Sequence, residues 1–176
     1  FDEFGTYPIS VVKVGSRMLA YYGGWTRCES VPFNVAIGVS ESFDEGKTFT
    51  RITKGPVLSY SLDEPFVVTS PKIRIFNGVW YLFYSAGSEW FMSNGRPEII
   101  YKVRMAKSTD GMNWEKLNAN IIEDKLGVRE AQASPDVIFK NGTYHLFFCY
   151  RAGEGFRNDK TKSYRIGYAR SSDLIN

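Results

Sequence analysis

The chain holds a single histidine, two cysteines and four methionines in 176 residues, and each scarcity excludes something. With only His145, a histidine-rich metal site cannot form, and a Ser-His-Asp arrangement would need His145 itself as its base. Cys28 and Cys149 make neither a disulfide framework nor a Cys-x-x-Cys pair, so a reducing, cytoplasmic setting is the default expectation. No apolar run approaches the roughly 18 to 20 residues of a membrane-spanning helix. The chain opens with Phe1-Asp2-Glu3-Phe4 rather than with a basic region followed by an apolar one, so a soluble protein without a leader is expected. Charge of one sign is missing too: 22 basic and 19 acidic residues give +3, with no run of like charges. Nucleic acid and anionic membranes are therefore not expected partners. No metal or organic cofactor is called for. Helical periodicity is almost absent, and its best candidate, 123–133, contains Gly127.

Aromatics are plentiful, with 13 Phe, 11 Tyr and 4 Trp, and 16 Gly and 7 Pro punctuate them. That mixture favours many short strands joined by turns. Three segments align, beginning at Pro8, Pro71 and Pro135, which are 63 and 64 residues apart. Seven residues after each proline stands a glycine (Gly15, Gly78, Gly142). Eleven after it comes a leucine (Leu19, Leu82, Leu146), and thirteen after it an aromatic (Tyr21, Tyr84, Phe148). Without gaps, this register predicts a hairpin in each segment, since Asn77-Gly78 and Asn141-Gly142 are the dipeptides of two-residue turns. The same demand accounts for the glycosylation-like triplet Asn141-Gly142-Thr143. In Trp80-Tyr81-Leu82-Phe83-Tyr84 neither alternate set is polar, so the sheet should be covered on both faces.

A second hairpin is marked by Ser42-Phe43-Asp44-Glu45-Gly46-Lys47-Thr48-Phe49, by Ser108-Thr109-Asp110-Gly111-Met112-Asn113-Trp114 and by Ser171-Ser172-Asp173. These boxes read as turn stabilisers. Strand-like runs lie upstream at 35–40, 101–106 and 164–169, and downstream at 48–52 and 113–117. Four strands per unit is the blade of a β-propeller. The expected fold is an all-β propeller segment of about three four-stranded antiparallel blades within one domain: 1–54, 55–119 and an incomplete 120–176. Because three blades do not close a ring, the chain reads as an open segment of a larger propeller or as one that closes by association, for instance as a homodimer through its two open faces.

The sequence resembles the five-bladed propeller superfamily of the family-43 arabinanases and xylosidases, the family-32 invertases and the mannoside phosphorylases. Its likeness is strongest to an uncharacterised glycosidase-like branch encoded among polysaccharide genes. The residues carrying this are Phe1-Asp2-Glu3-Phe4-Gly5, Tyr21-Tyr22-Gly23-Gly24-Trp25, Val31-Pro32-Phe33, Gly55-Pro56-Val57-Leu58, Asp63-Glu64-Pro65-Phe66, Asn94-Gly95-Arg96-Pro97-Glu98 and Ser163-Tyr164-Arg165-Ile166-Gly167-Tyr168-Ala169. The resemblance covers essentially the whole chain and corresponds to the middle three blades. It implies a carbohydrate ligand and a glycoside hydrolase type of chemistry, with paired carboxylates at the starts of inner strands.

Carboxylates do precede each inner strand, which makes Asp2, Glu64 and Glu130 the catalytic candidates. Trp25, Trp90 and Tyr150, at or beyond the ends of second strands, could stack on a sugar, and Arg151 could donate paired hydrogen bonds to it. The residues immediately before the prolines are Tyr7, Ser70 and Ser134, whereas family-43 enzymes carry their base there. Three readings follow: the acids come from the earlier positions, the decisive one lies in another blade, or the protein binds glycans without cleaving them. A sialidase would need six blades and an arginine cluster, and an inactive propeller fragment is the remaining alternative.

Overall fold

The computed structural model describes residues 1–127 and 129–175, so Asn176 at the end of the third unit lies outside it. Three antiparallel meanders account for the chain. The first is β1 (Thr6–Val14), β2 (Arg17–Thr26), β3 (Asn34–Ser42) and β4 (Thr50–Arg51), hydrogen-bonded in that order. The second repeats it with β5 (Val68–Phe76), β6 (Val79–Ser93), β7 (Arg96–Ser108) and β8 (Glu115–Lys116). The third has three strands, β9 (Glu130–Lys140), β10 (Thr143–Ala152) and β11 (Arg165–Ser171). Among the described residues the only helical element is a 3-10 turn, Lys160–Lys162, so the helix considered at 123–133 does not form. No helix among them is long and apolar enough to cross a membrane.

The first strands of the three sheets touch in sequence, β1 against β5 and β5 against β9, and form the inner edge of the molecule. Each carries a bulge where its proline removes a donor from the ladder. At two of these bulges the residue before proline is left-handed, Ser70 at φ 53° and Ser134 at φ 53°.

The gapless register needs a correction in the first sheet. Asn77-Gly78 and Asn141-Gly142 turn with both residues at positive φ, whereas at Gly15-Ser16 only Gly15 (φ 60°) does so. Gly15 is thus the first turn residue and Gly78 the second, since Val14 pairs with Arg17 as Phe76 pairs with Val79. Equivalent positions are therefore Tyr22, Tyr84 and Phe148, rather than Tyr21, Tyr84 and Phe148. The glycines confirm it: a Cβ at Gly38 would meet the Tyr22 ring at 2.5 Å, and one at Gly167 the Phe148 ring at 2.3 Å.

Alternation across the second strands explains why both faces are apolar. Leu82 and Tyr84 pack with Leu19, Tyr21, Ile37 and Val39 of the first sheet. Phe83, one residue on, packs with Val137, Leu146 and Phe148 of the third. The outward face of the third sheet has no such cover. Phe147, Ile166 and Tyr168 are 44%, 82% and 46% exposed, at places where the inner sheets bury Tyr21 and Phe83, Ile37 and Val103, and Val39 and Met105. His145 lies on this same face, its Nδ1 2.7 Å from the Tyr168 hydroxyl.

Candidate functional site

The bulged starts of β1, β5 and β9 open into a cleft to which all three sheets contribute. Tyr7, Thr69, Ser70 and Ala133 come from the inner strands, and Trp25, Phe33, Ser85 and Tyr101 wall it from behind. The close approach of β1 to β2 depends on Gly23, where a Cβ would lie 2.5 Å from the Tyr7 carbonyl. The Trp25 indole is locked by donating from Nε1 to the Tyr7 carbonyl at 3.0 Å. Its ring centroid lies 4.5 Å from that of Phe33, which in turn sits 5.2 Å from Trp90, so the three rings form one aromatic wall between the first and second sheets.

The polar complement of this wall is a set of hydroxyls. Ser85 is buried and its Oγ accepts from the Ser134 amide at 3.3 Å, tying the second sheet to the third bulge. Burial, with the Tyr164 phenol next in weight, pushes the Tyr101 hydroxyl well above the usual tyrosine range. Thr69 is 9% exposed, and its Oγ1 has no hydrogen-bond partner among the described residues. A buried hydroxyl left unpaired costs about 1–3 kcal/mol, and a bound group would recover it. Among the described residues no carboxylate lines this cleft. Its chemistry is stacking plus neutral hydrogen bonding, which suits a ring with one apolar face and hydroxyls at its rim.

Asp2, Glu64 and Glu130 lie in three networks that share no partner. The Glu64 side chain is fully buried: Tyr84 donates to Oε1 at 2.6 Å, Arg104 Nη1 lies 3.4 Å from Oε1, and Lys116 Nζ lies 2.5 Å from Oε2. Asp2 copies this arrangement in the first sheet, accepting from Tyr22 at 2.9 Å and pairing with Arg51 at 2.6 Å. In both sheets a carboxylate from the loop before the inner strand is clamped between a second-strand tyrosine and a fourth-strand cation. Phe148 has no hydroxyl to offer, and Glu130 instead accepts from the Lys125 and Leu126 amides at 2.7 Å and from Gln132 Nε2 at 3.0 Å. The recurrence of carboxylates before inner strands is thus a recurrence of loop-to-sheet clamps.

Of the four side chains expected to hold a ligand, Trp25 lines the cleft and Trp90 supports it through Phe33. Tyr150 packs instead against the cluster between the second and third sheets. Arg151 is 2% exposed and donates to the carbonyls of Ala152, Gly153 and Ile99 and to the Tyr164 hydroxyl, bridging the third sheet to β7. Phe33, Thr69, Ser85 and Tyr101 were not singled out from the sequence. Only Phe33 lay in a motif that carried the resemblance.

No protein-family profile matches the chain. Two curated relatives, uncharacterized proteins from two strains of Mycobacterium tuberculosis, are each 31% identical over 173 residues. That alignment takes in 98% of this chain and 54% of theirs, so the chain spans about half the length of the curated relatives it matches. Solved structures with the same architecture include a family-32 β-fructofuranosidase of Bombyx mori, with TM-score 0.73 and 23% identity over 94% of this chain and 34% of that one. A family-117 glycoside hydrolase of Zobellia galactanivorans gives TM-score 0.73 and 20% identity over 97% and 53%. A thermostable family-43 glycoside hydrolase gives 0.66 and 17% over 98% and 50%. The fold is that of part of a propeller glycosidase.

Proposed function

We propose that the chain is part of a carbohydrate-active propeller of glycoside hydrolase type, and that its three sheets supply the wall against which a sugar is held. One observation carries the reading: the Trp25–Phe33 ring wall shares a cleft with Thr69, whose buried hydroxyl has no partner among the described residues. Stacking on the aromatic wall would orient the sugar, and the Thr69 hydroxyl and the protonated Tyr101 would bond its hydroxyls.

Cleavage of a glycosidic bond needs an acid and a base, roughly 5 to 5.5 Å apart for retention or 6.5 to 9.5 Å for inversion. Asp2, Glu64 and Glu130 are committed to their clamps, and Tyr7, Ser70 and Ser134 stand where family-43 enzymes place a base. This favours a second reading, in which these sheets recognise a glycan and take no direct part in cleaving it. Calorimetric titration with a panel of neutral oligosaccharides, with product analysis of each mixture, tests both. Saturable binding weakened about tenfold or more by Trp25→Ala supports the cleft, since a stacked aromatic face supplies much of such an interface. Binding indifferent to Trp25→Ala overturns it. Products that persist in Glu64→Gln would place catalysis away from Glu64.

A further inference from the structure

The β6–β7 hairpin outgrows its counterparts. β6 has 15 residues and β7 has 13, against 10 in β2 and 9 in β3. The excess lies beyond Ala86, which pairs with Val68 at the start of β5, so the hairpin extends past the mouth of the aromatic cleft. There it meets the loop that follows β10, and a second cleft forms between Ser93, Asn94, Arg96 and Glu98 on one side and Arg157 and Asn158 on the other.

Three arginines gather around one carboxylate here. Glu98, its side chain 7% exposed, is gripped in parallel by Arg157, Nε to Oε1 at 2.6 Å and Nη2 to Oε2 at 3.0 Å. Those hydrogen bonds first, and then the charges of Arg157, Arg151 and Arg96, hold its carboxyl below the usual glutamate range. Arg151 and Arg157 both lie against the Phe156 ring, at 3.6 and 4.7 Å from its centroid. Arg151 spends its donors on uncharged carbonyls and a phenol. Arg96 is exposed, and its side chain makes no hydrogen bond or ion pair among the described residues. The neighbouring acid Glu154 is taken by Arg129 at 2.7 Å. Among the described residues that line the cleft, Arg96 and Arg157 stand against Glu98 alone, an excess of one positive charge, and the buried Arg151 behind Glu98 adds a further guanidinium.

We propose that this cleft binds an anionic substituent of the glycan held at the adjacent mouth, a uronic carboxylate or a sulfate or phosphate ester, with Arg96 as its principal partner. A guanidinium fork matches the oxygens of either group, and Asn94, Asn158 and Ser93 add neutral donors around it. The inference rests on the carbohydrate reading above and narrows its substrate class to acidic glycans.

The test is calorimetric titration of the protein and of Arg96→Gln with trigalacturonate, with neutral galactotriose, with a sulfated galactotriose and with inorganic phosphate. The expected result is tighter binding of an acidic trisaccharide than of the neutral one. Arg96→Gln should weaken the acidic ligand about three- to fivefold, as a partly exposed ion pair would, while leaving the neutral one unchanged. Preference for trigalacturonate assigns the anion as a carboxylate, and preference for the sulfated sugar assigns it as an ester. Equal affinities for acidic and neutral sugars, or indifference to Arg96→Gln, would overturn this inference and leave the carbohydrate reading standing. Inorganic phosphate binding as tightly as the acidic sugars would detach the cleft from glycans, and binding of no sugar at all would overturn both readings.

Discussion

The Tyr84 hydroxyl donates to the Glu64 carboxylate at 2.6 Å, deep between the first two sheets, and burial first and the Glu64 charge second drive the phenol far above its normal range. With Lys116 on the other oxygen, the buried Glu64 is the charge that balances two partly buried cations. Glu64→Gln should therefore destabilise the protein by about 3–5 kcal/mol, the cost of breaking a buried ion pair on one side. Urea denaturation followed by tryptophan fluorescence reads this. A variant that unfolds at the wild-type midpoint would instead free Glu64 for a role at the mouth.

Cohesion between sheets has a marker of its own in Tyr21, whose hydroxyl donates across 90 residues to the Gly111 carbonyl at 2.8 Å. Tyr21→Phe leaves that carbonyl buried and unpaired, and should cost about 1–2 kcal/mol by the same denaturation measurement.

The turn boxes predict the acid response. Asp44 is held down to about 2, chiefly by the Thr48 hydroxyl and amide and then by the Ser42 hydroxyl, and Asp110 is likewise depressed by the Asn113 and Met112 amides. Because the folded value lies below the unfolded one, the stabilisation is complete above about pH 4 and is lost as pH falls toward 2. Asp44→Asn should flatten the part of the acid-induced fall in denaturation midpoint that belongs to this turn. An unchanged slope between those pH values would contradict the assignment.

At the cleft, stability and binding should move in opposite directions. Thr69→Val keeps the branched shape and removes a hydroxyl that is buried without a partner, so thermal unfolding should show a gain of about 1 kcal/mol. The same change should weaken any oligosaccharide that binds. Loss of stability would mean that the hydroxyl is already satisfied within the protein.

The architecture was legible because its signals are local. Asn77-Gly78 and Asn141-Gly142 fix turns through their backbone freedom, and the alternation around Leu82, Phe83 and Tyr84 requires cover on both faces. The offset in the first sheet escaped because a glycine looks the same in sequence at either position of a turn. The fourth strands shrank to Thr50–Arg51 and Glu115–Lys116, and no residue in 48–52 or 113–117 announces where the pairing stops. The lengthened β6–β7 hairpin was equally silent. At the site, Trp25 and Trp90 could be picked out from their places at or beyond the ends of second strands. Thr69, Ser85 and Tyr101 could not, because the cleft is assembled from three sheets and no stretch of chain contains it. Asp2 and Glu64 carried a true periodic signal, and the clamps that it marks depend on Arg51 and Lys116 more than 45 residues downstream.

The central claim is that the mouth cleft is where sugar binds, and the indole resonances of the four tryptophans report on it directly. Trp25 walls the cleft, whereas Trp114 packs edge-on against Tyr21 between the first two sheets. In a ¹H–¹⁵N titration with an oligosaccharide that binds, the Trp25 indole should shift in proportion to occupancy while the Trp114 indole stays in place. A saturating ligand that leaves the Trp25 indole unmoved would contradict the account.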